Sequence, residues 1–148
     1  MLTNKGKYGL KALVHLAGLP NGASAQSNEI ARTNNIPKKF LDTILGELRL
    51  GGFVQSKKGK GGGYMLARRA DEIFVGAAIR TLDGPLAPIG CASRLSYQPC
   101  GDCDVATCPV RLLMTEVRDA IARRLDATTL TEMRSQLAAF RDPVNYVI

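Results

Sequence analysis

The sequence predicts a mainly α-helical fold carrying one small β-hairpin, on three observations. Apolar residues recur every three or four positions through most of the 148 residues, as in helices with one buried face. That period breaks at FVQSK and YMLAR, two short β-prone runs on either side of KGKGGG. It breaks again over residues 84–109, which hold Pro85, Pro88, Pro99, Pro109 and every cysteine, and then returns in one long stretch from Val110.

Leu10, Leu13, Val14, Leu16 and Ala17 place a first helix over residues 3–19, which Pro20-Asn21-Gly22 stops. Ser27 is the expected N-cap of a short second helix, NEIARTNN. Asn34-Asn35-Ile36 then make a brief turn. Pro37 is expected at the first position of a third helix, where its missing N–H costs nothing. In that helix, KKFLDTILGELRL, the residues Phe40, Leu41, Ile44, Leu45 and Leu48 share the face expected to be buried, and Gly51-Gly52 end it. The hairpin follows, then a short helix over Val75–Leu82, then the irregular loop. Beyond it, Val110, Leu113, Met114, Val117, Ile121 and Leu125 line one side of a long helix. Such a stripe packs on its own domain or pairs with a second copy of itself. Thr129-x-x-Glu132 is a capping box opening a last helix that ends near Pro143. The expected division is residues 1–83 for the helices and hairpin, 84–109 for the cysteine loop, and 110–148 for the C-terminal helices.

At 45% hydrophobic and 22% charged, the chain has an ordinary soluble composition and can bury a core without disulfides. No apolar run is long enough to span a membrane. Lys11 and His15 interrupt the apolar part of the N-terminal segment and no small-residue cleavage site follows, so no secretory leader is expected and the expected compartment is the cytoplasm. Charge is distributed unevenly. Residues 1–69 carry 12 Lys and Arg against 3 Asp and Glu, a net of +9; residues 70–148 carry 8 Arg, no Lys and 10 Asp and Glu, a net of −2. A basic half joined to a mildly acidic half points to a polyanionic partner for the first, nucleic acid above all.

Two short helices with a tight turn between them make a helix-turn-helix, whose second helix can lie in the major groove. Here that helix opens Pro37-Lys38-Lys39, bringing two ammonium groups and a helix N-terminus together, both of which attract phosphate. Lys38, Lys39, Asp42 and Thr43 fall off its apolar face and are free to touch DNA. The hairpin tip adds Lys57, Lys58 and Lys60 beside Gly61-Gly62-Gly63, three cations on a segment slim enough to approach a backbone or a minor groove. The glycine-rich loop lacks the GK[ST] ending of a nucleotide-binding loop and joins two strands, so a nucleotide is not its expected ligand. His15, the single histidine, sits amid Leu13, Val14 and Leu16 and reads as a packed helix residue. With no second base beside any nucleophile and no carboxylate pair standing out, the chain is not expected to be an enzyme.

Cys91, Cys100, Cys103 and Cys108 are the only cysteines. In a reducing compartment, thiols clustered like this read as metal-binding or redox-active. Cys100-x2-Cys103 is a two-ligand knuckle whose Gly-Asp spacer lets both sulfurs converge. Four thiolates suit zinc, a [2Fe–2S] or a [4Fe–4S] cluster, and a metal-free thiol–disulfide switch is a third option; spacing does not choose among them. A Cys-Gly-Asp-Cys oxidoreductase dithiol is not expected, because that motif opens a helix after a strand in a βαβ setting absent here.

NIPKKFLDTILGELRLGGFVQSKKGKGGGYMLAR resembles the winged helix-turn-helix of the IscR/NsrR/CymR-type bacterial transcriptional regulators. The opening LTNKGKYGLKAL, the segment DEIFVGAAIRTLDG, the cysteine loop and the long helix extend the resemblance over nearly the whole chain, and KGKGGGY is its most specific motif. The resemblance implies a homodimer that binds imperfect palindromes in double-stranded DNA, mostly to repress. It places positions Pro37 to Thr43 and wing residues Lys58 and Lys60 at the DNA. It also implies that the long helix crosses its copy in the partner, making Val110, Leu113, Met114, Val117 and Ile121 a dimer seam. In cluster-binding members three cysteines occupy this loop; Cys91 matches the first, Cys108 the last, and Cys100 or Cys103 the middle one. The IscR branch adds a histidine where this chain has Arg111, and the nitric-oxide-sensing branch an acidic ligand where this chain has Lys7. The extra cysteine could take that fourth place. An iron–sulfur cluster is therefore the implied cofactor, 2Fe–2S or 4Fe–4S, with structural zinc or a cluster-free thiol switch as alternatives. Some relatives instead regulate cysteine metabolism with a cysteine-synthesis enzyme as partner.

Overall fold

The computed structural model describes residues 2–141; Pro143, where the last helix is expected to end, lies outside the described residues. Among the described residues six α-helices and one hairpin form in the order read from the sequence: α1 (Asn4–Ala17), α2 (Ser27–Asn34), α3 (Lys38–Leu50), β1 (Val54–Lys57), β2 (Gly63–Leu66), α4 (Val75–Asp83), α5 (Pro109–Asp126) and α6 (Leu130–Phe140). Leu13, Ile30, Leu41, Ile44, Leu45, Leu48, Ile73 and Leu130 are fully buried together. Each such side chain contributes roughly 1.5–3 kcal/mol of burial. Leu130, at the start of α6, belongs to this one core, so the C-terminal helix returns to the N-terminal head.

Local chemistry explains the entry of each helix. The Thr3 hydroxyl accepts from the Gly6 N–H at 3.3 Å and donates to Asp83 Oδ1 at 2.5 Å, so one residue caps α1 and ties it to the end of α4. The two helices cross closely because Gly9 carries no side chain: a Cβ there would lie 2.1 Å from Leu82 Cδ1. Ser27 is the first residue of α2, not its cap; Gln26 flanks the helix without a side-chain cap bond. The reason is next door. Ala25 N–H donates to Tyr64 O at 2.9 Å and Tyr64 N–H to Ala25 O at 2.7 Å, which keeps the chain extended up to Gln26. Asn35 ends α2 in the left-handed region (φ 52), a conformation asparagine tolerates, and Ile36 N–H closes the turn on Ala31 O at 2.9 Å.

That tight turn leaves Pro37 extended (ψ 125), so α3 begins at Lys38 and Pro37 flanks it as N-cap rather than occupying its first position. Phe40 is also a correction: it is 37% exposed, and the buried face of α3 is Leu41, Ile44, Leu45 and Leu48. Phe40 lies beside that face rather than on it and packs on the surface of α1, where Tyr8 and Phe40 meet edge to face with ring centroids 5.7 Å apart. His15 is half-buried, with Asn34 Nδ2 3.1 Å from its Nδ1, in keeping with a packed helix histidine.

β1 and β2 pair antiparallel from Val54↔Leu66 to Lys57↔Gly63. The expected capping box opens α6: Thr129 Oγ1 accepts from Glu132 N–H at 3.2 Å and Glu132 Oε2 from Thr129 N–H at 2.9 Å. Two further backbone bonds, Val75 N–H to Thr128 O and Leu130 N–H to Ile73 O, stitch this turn to the start of α4. α5 behaves differently. It begins at Pro109, one residue before the expected start, and Arg118 is its only buried residue. No described helix is long and apolar enough to cross a membrane.

Candidate nucleic-acid interface and cysteine centre

The residues expected at DNA lie on two exposed projections of one head. Lys38, Lys39, Asp42 and Thr43 are all exposed on the first turns of α3. Lys38 Nζ pairs with Asp42 Oδ2 at 2.8 Å, and the Thr43 hydroxyl donates back to Lys39 O at 3.4 Å. Lys39, Lys57, Lys58 and Lys60 have no ion pair among the described residues and stay available to phosphate. The wing is held at both ends. Its base is fixed by the Ala25–Tyr64 bridge, and near its tip the Ser24 hydroxyl donates to Gly61 O at 3.0 Å. The α1–α2 connection thus sets how far the wing stands from α3.

The seam expected on α5 is open in the single chain. Val110 is 59% and Leu113 55% exposed, Leu112 is exposed beside them, and Met114, Val117 and Ile121 are only half-buried. α5 is tied to the head through Arg80 of α4, whose guanidinium donates to both carboxylate oxygens of Asp126 at 2.6 and 2.9 Å. That pairing holds the Asp126 carboxyl below its usual range.

The four cysteines divide into two groups. The Cys100 and Cys103 sulfurs and an Asp102 carboxylate oxygen lie within 4.8 Å of one another, and Cys100 Sγ donates to Asp102 Oδ1 at 2.6 Å. Cys108 stands beside Cys103 as the N-cap of α5. The Cys103 thiol is pushed up to about 12, first by its hydrogen bond with Cys100, then by local desolvation and Cys108. Cys108 moves the other way, because the Arg111 N–H at the start of α5 favours its thiolate. No full capping bond closes on that sulfur, yet the helix N–H groups still act on it. Cys91 is apart: it is buried in a 3-10 turn, Gly90–Ala92, outside the group formed by Cys100, Asp102 and Cys103. Its carbonyl accepts from Arg111 Nε at 3.0 Å, and the next carbonyl, of Ala92, accepts from Arg118.

Comparison with known proteins gives this architecture a family. The profile of Rrf2, described as an iron-dependent transcriptional regulator, matches residues 2–136. The chain belongs to the Rrf2 family. An rrf2-like HTH-type transcriptional regulator of Rhodobacter capsulatus is 42% identical over 137 residues, covering 90% of this chain and 91% of that one. The solved structure of CymR (YrzC), the global cysteine regulator of Bacillus subtilis, superimposes with a TM-score of 0.76 at 33% identity, covering 92% of this chain and 97% of that one. IscR of T. potens superimposes with a TM-score of 0.74 at 26% identity, covering 95% and 90% of the two chains. The Rrf2 chain described here is accordingly a DNA-binding transcriptional regulator of the CymR/IscR type, with their winged-helix fold, and not an enzyme.

In this Rrf2 chain the donor set at the loop suits a thiophilic metal group: the Cys100 and Cys103 sulfurs converge with the Asp102 carboxylate, Cys108 stands beside Cys103, and none of these thiols is locked in a disulfide. Sequence reading took Asp102 as part of a spacer, noted Arg111 only as the position where the IscR branch has a histidine, and did not single out Arg118. It did not connect Lys7 and Lys11 with Tyr8, whose ring lies 5.6 and 6.0 Å from their ammonium groups next to the start of α3. The alternation of cations around one aromatic in NKGKYGLK was the available signal.

Proposed function

We propose that this protein is a homodimeric repressor that binds an imperfect palindrome, and that its cysteine loop adjusts DNA affinity to iron–sulfur or redox status. The observation that carries the reading is positional: the converging thiols end on Cys108, the N-cap of the same helix that leaves its apolar stripe exposed. Burying Val110, Leu113, Met114, Val117 and Ile121 against a second copy removes that stripe from water and fixes the distance between two reading heads. In each head, Lys39 and the wing lysines Lys57, Lys58 and Lys60 neutralise phosphates, while Asp42 and Thr43 face base edges. Lys38 holds Asp42 in place, and Pro37 starts the helix whose N-terminus meets the backbone.

Cys100, Cys103 and Cys108 would hold the metal group, with Cys91 or Asp102 to complete it. Such a group, when bound, supplies metal–sulfur bonds that respond to iron supply and oxidants. The chain supplies the coupling. Arg111 and Arg118 fasten the Cys91 segment to α5, and the Arg80–Asp126 pair fastens α5 to the head, so order in the loop is felt in head spacing. The adjacency of Cys103 to the activated Cys108 also favours a second reading, a metal-free switch in which peroxide takes two electrons and two protons from the pair, leaving a disulfide and water.

Anaerobic purification with iron and sulfide analysis, followed by gel shifts on its own promoter, tests both. Matched iron and sulfide, with operator affinity that changes on removing them, supports the first reading. Metal-free protein whose affinity changes with peroxide and reverses with dithiol supports the second. Affinity that ignores all these treatments, in the wild type and in Cys→Ala variants alike, ends the sensor reading. Equal competition by specific and nonspecific DNA ends the operator reading.

A further inference from the structure

We propose that the apolar cavity between α5 and the head is an effector site for a small organic anion, a carboxylate on an apolar body of about eight carbons or two fused rings. None of the four cysteines lines this cavity, so the proposal stands whatever the loop binds.

The cavity holds about 350 Å3. Leu10 of α1, Ile79 of α4, Leu125 of α5 and Met133 of α6 meet in its walls, with Leu86 from the segment that follows α4. Protein interiors rarely leave voids larger than a water molecule. Ligand pockets, by contrast, start at about 300 Å3, with apolar walls and a few polar groups that fix orientation. An apolar cavity of about 150 Å3 takes benzene, so this one accepts a body about twice that size. One wall is built to yield. Residues 85–88 line the cavity and make no hydrogen bond among the described residues. Pro85, Leu86 and Ala87 also line a second cavity of about 480 Å3, so the segment has space on both sides. A stretch held by side-chain packing without backbone bonds opens at low cost.

The polar groups of the lining choose the charge of the ligand. Asp83 and Arg124 are its two charged residues. Asp83 is already satisfied: Oδ2 accepts from the Thr3 N–H at 2.9 Å and Oδ1 from the Thr3 hydroxyl at 2.5 Å. The buried Thr128 hydroxyl donates to Arg124 O at 2.7 Å. The Arg124 guanidinium has no ion pair or hydrogen bond among the described residues. Helical spacing sets Arg124 beside Ile121 and Leu125, so an unpaired planar cation adjoins apolar wall. Its fork of donors fits a carboxylate. On α6, Gln136 shares a face with Met133 and adds an amide donor to the same lining. A ligand held there touches α1 and α4 on one side and α5 and α6 on the other. Its occupancy therefore biases how α5 leaves the head, on which the spacing of two reading heads depends.

The test is calorimetric titration of the full chain with octanoate, with octanol and octylamine as controls and light scattering to follow assembly. Octanoate should bind saturably, one per chain, octanol more weakly and octylamine not at all. Arg124→Gln should weaken octanoate about tenfold or more, while Arg123→Gln, an exposed neighbour outside the lining, should leave it unchanged. Met133→Phe adds bulk inside the cavity and should also weaken it. Circular dichroism guards against misfolding there, and exposed Arg124 tests the idea independently. Saturating octanoate should shift operator affinity about fivefold or more in gel shifts. Octylamine that binds as well as octanoate, or an Arg124→Gln titration that matches wild type, overturns the ligand class. Ile121 belongs to both the cavity wall and the expected dimer seam, so a side chain of the second copy is the rival occupant. Octanoate taken up only by the dissociated chain, or not at all, overturns the site, and octanoate bound at unchanged operator affinity overturns its effector role. Each of these results leaves the operator and cysteine-loop readings standing.

Discussion

Replacing Gly63 by alanine probes how the wing is mounted. Gly63 has a φ of 151, and a Cβ there would lie 2.4 Å from Ala25 O and 2.9 Å from Gln26 N. Neither neighbour is a flexible side chain; both are backbone. The methyl group therefore forces β2 away from the α1–α2 connection and breaks the paired bonds between Ala25 and Tyr64, at 2.9 and 2.7 Å. Two backbone hydrogen bonds at about 1 kcal/mol each, with about 1–2 kcal/mol for the positive φ, give a loss of roughly 3–4 kcal/mol. For a chain of this size each kcal/mol moves Tm by about 2–4 °C, so the expected fall is roughly 6–16 °C. Gly61→Ala is the control: its φ is 80 but no atom lies within 4 Å of the added carbon, so it loses only about 1 kcal/mol. Urea unfolding followed by circular dichroism measures both, and a gel shift at one salt concentration reads the wing. Gly63→Ala should unfold at clearly lower urea than Gly61→Ala and bind operator more weakly. If the two variants unfold within about 0.5 kcal/mol of each other, the wing is not mounted on Ala25 and the reasoning is wrong.

Lys58→Ala and Lys60→Ala should each weaken binding to all DNA alike and lower the slope of log affinity against log salt by about one unit, measured by fluorescence anisotropy; an unchanged slope removes that lysine from the interface. Val117→Glu or Ile121→Glu should give monomers by light scattering and abolish tight operator binding, since an unpaired carboxylate buried in the seam costs roughly 3–5 kcal/mol; a dimeric variant refutes the seam. The Arg80–Asp126 pair should matter in acid. Asp126 titrates below the ordinary carboxylate range when folded, so its contribution is complete at neutral pH and is lost as pH falls through that lowered value. Asp126→Asn should then cost no more than about 1 kcal/mol at pH 7, the pair being partly exposed, and flatten the acid limb of the stability curve. Gly46→Ala, in the middle of α3 with no atom within 4 Å of the new carbon, should stabilise by about 0.5–1 kcal/mol in urea unfolding.

What was legible in the sequence was whatever depends on periodicity or on a residue with no chemical substitute. The helices showed through Leu13, Leu41, Leu45 and Leu48, because a buried face must recur with the helical repeat. The wing showed through its glycines, because Gly62 and Gly63 lie against the backbones of Lys57 and Ala25, where no side chain fits. Phe40 misled because it stands at the flank of the stripe: its neighbour Leu41 is fully buried, while Phe40, one residue round the helix, is left at the surface against Tyr8. Ser27 misled because the Ala25–Tyr64 bridge, some 40 residues away in sequence on one side, sets where α2 begins.

The cysteine loop was the least legible part, for a related reason. It has no period, so spacing alone treats Cys91 as one thiol among equals. What sets it apart is the accounting of buried carbonyls: Cys91 O and Ala92 O lie away from water and need donors, and Arg111 and Arg118 on α5 provide them. On a helical wheel those arginines read as solvent charges. Arg118, at 8% exposed, is instead the most buried residue of α5, its charge balanced by Asp119. An arginine held there commits the Cys91 segment to the helix whether or not the rest of the loop is occupied. The movable part is then Cys100–Cys108, the segment with few bonds of its own and the one that leads directly into the first turn of α5. A signal received there acts on the end of the helix that carries Val110 and Leu113, the most exposed residues of the seam.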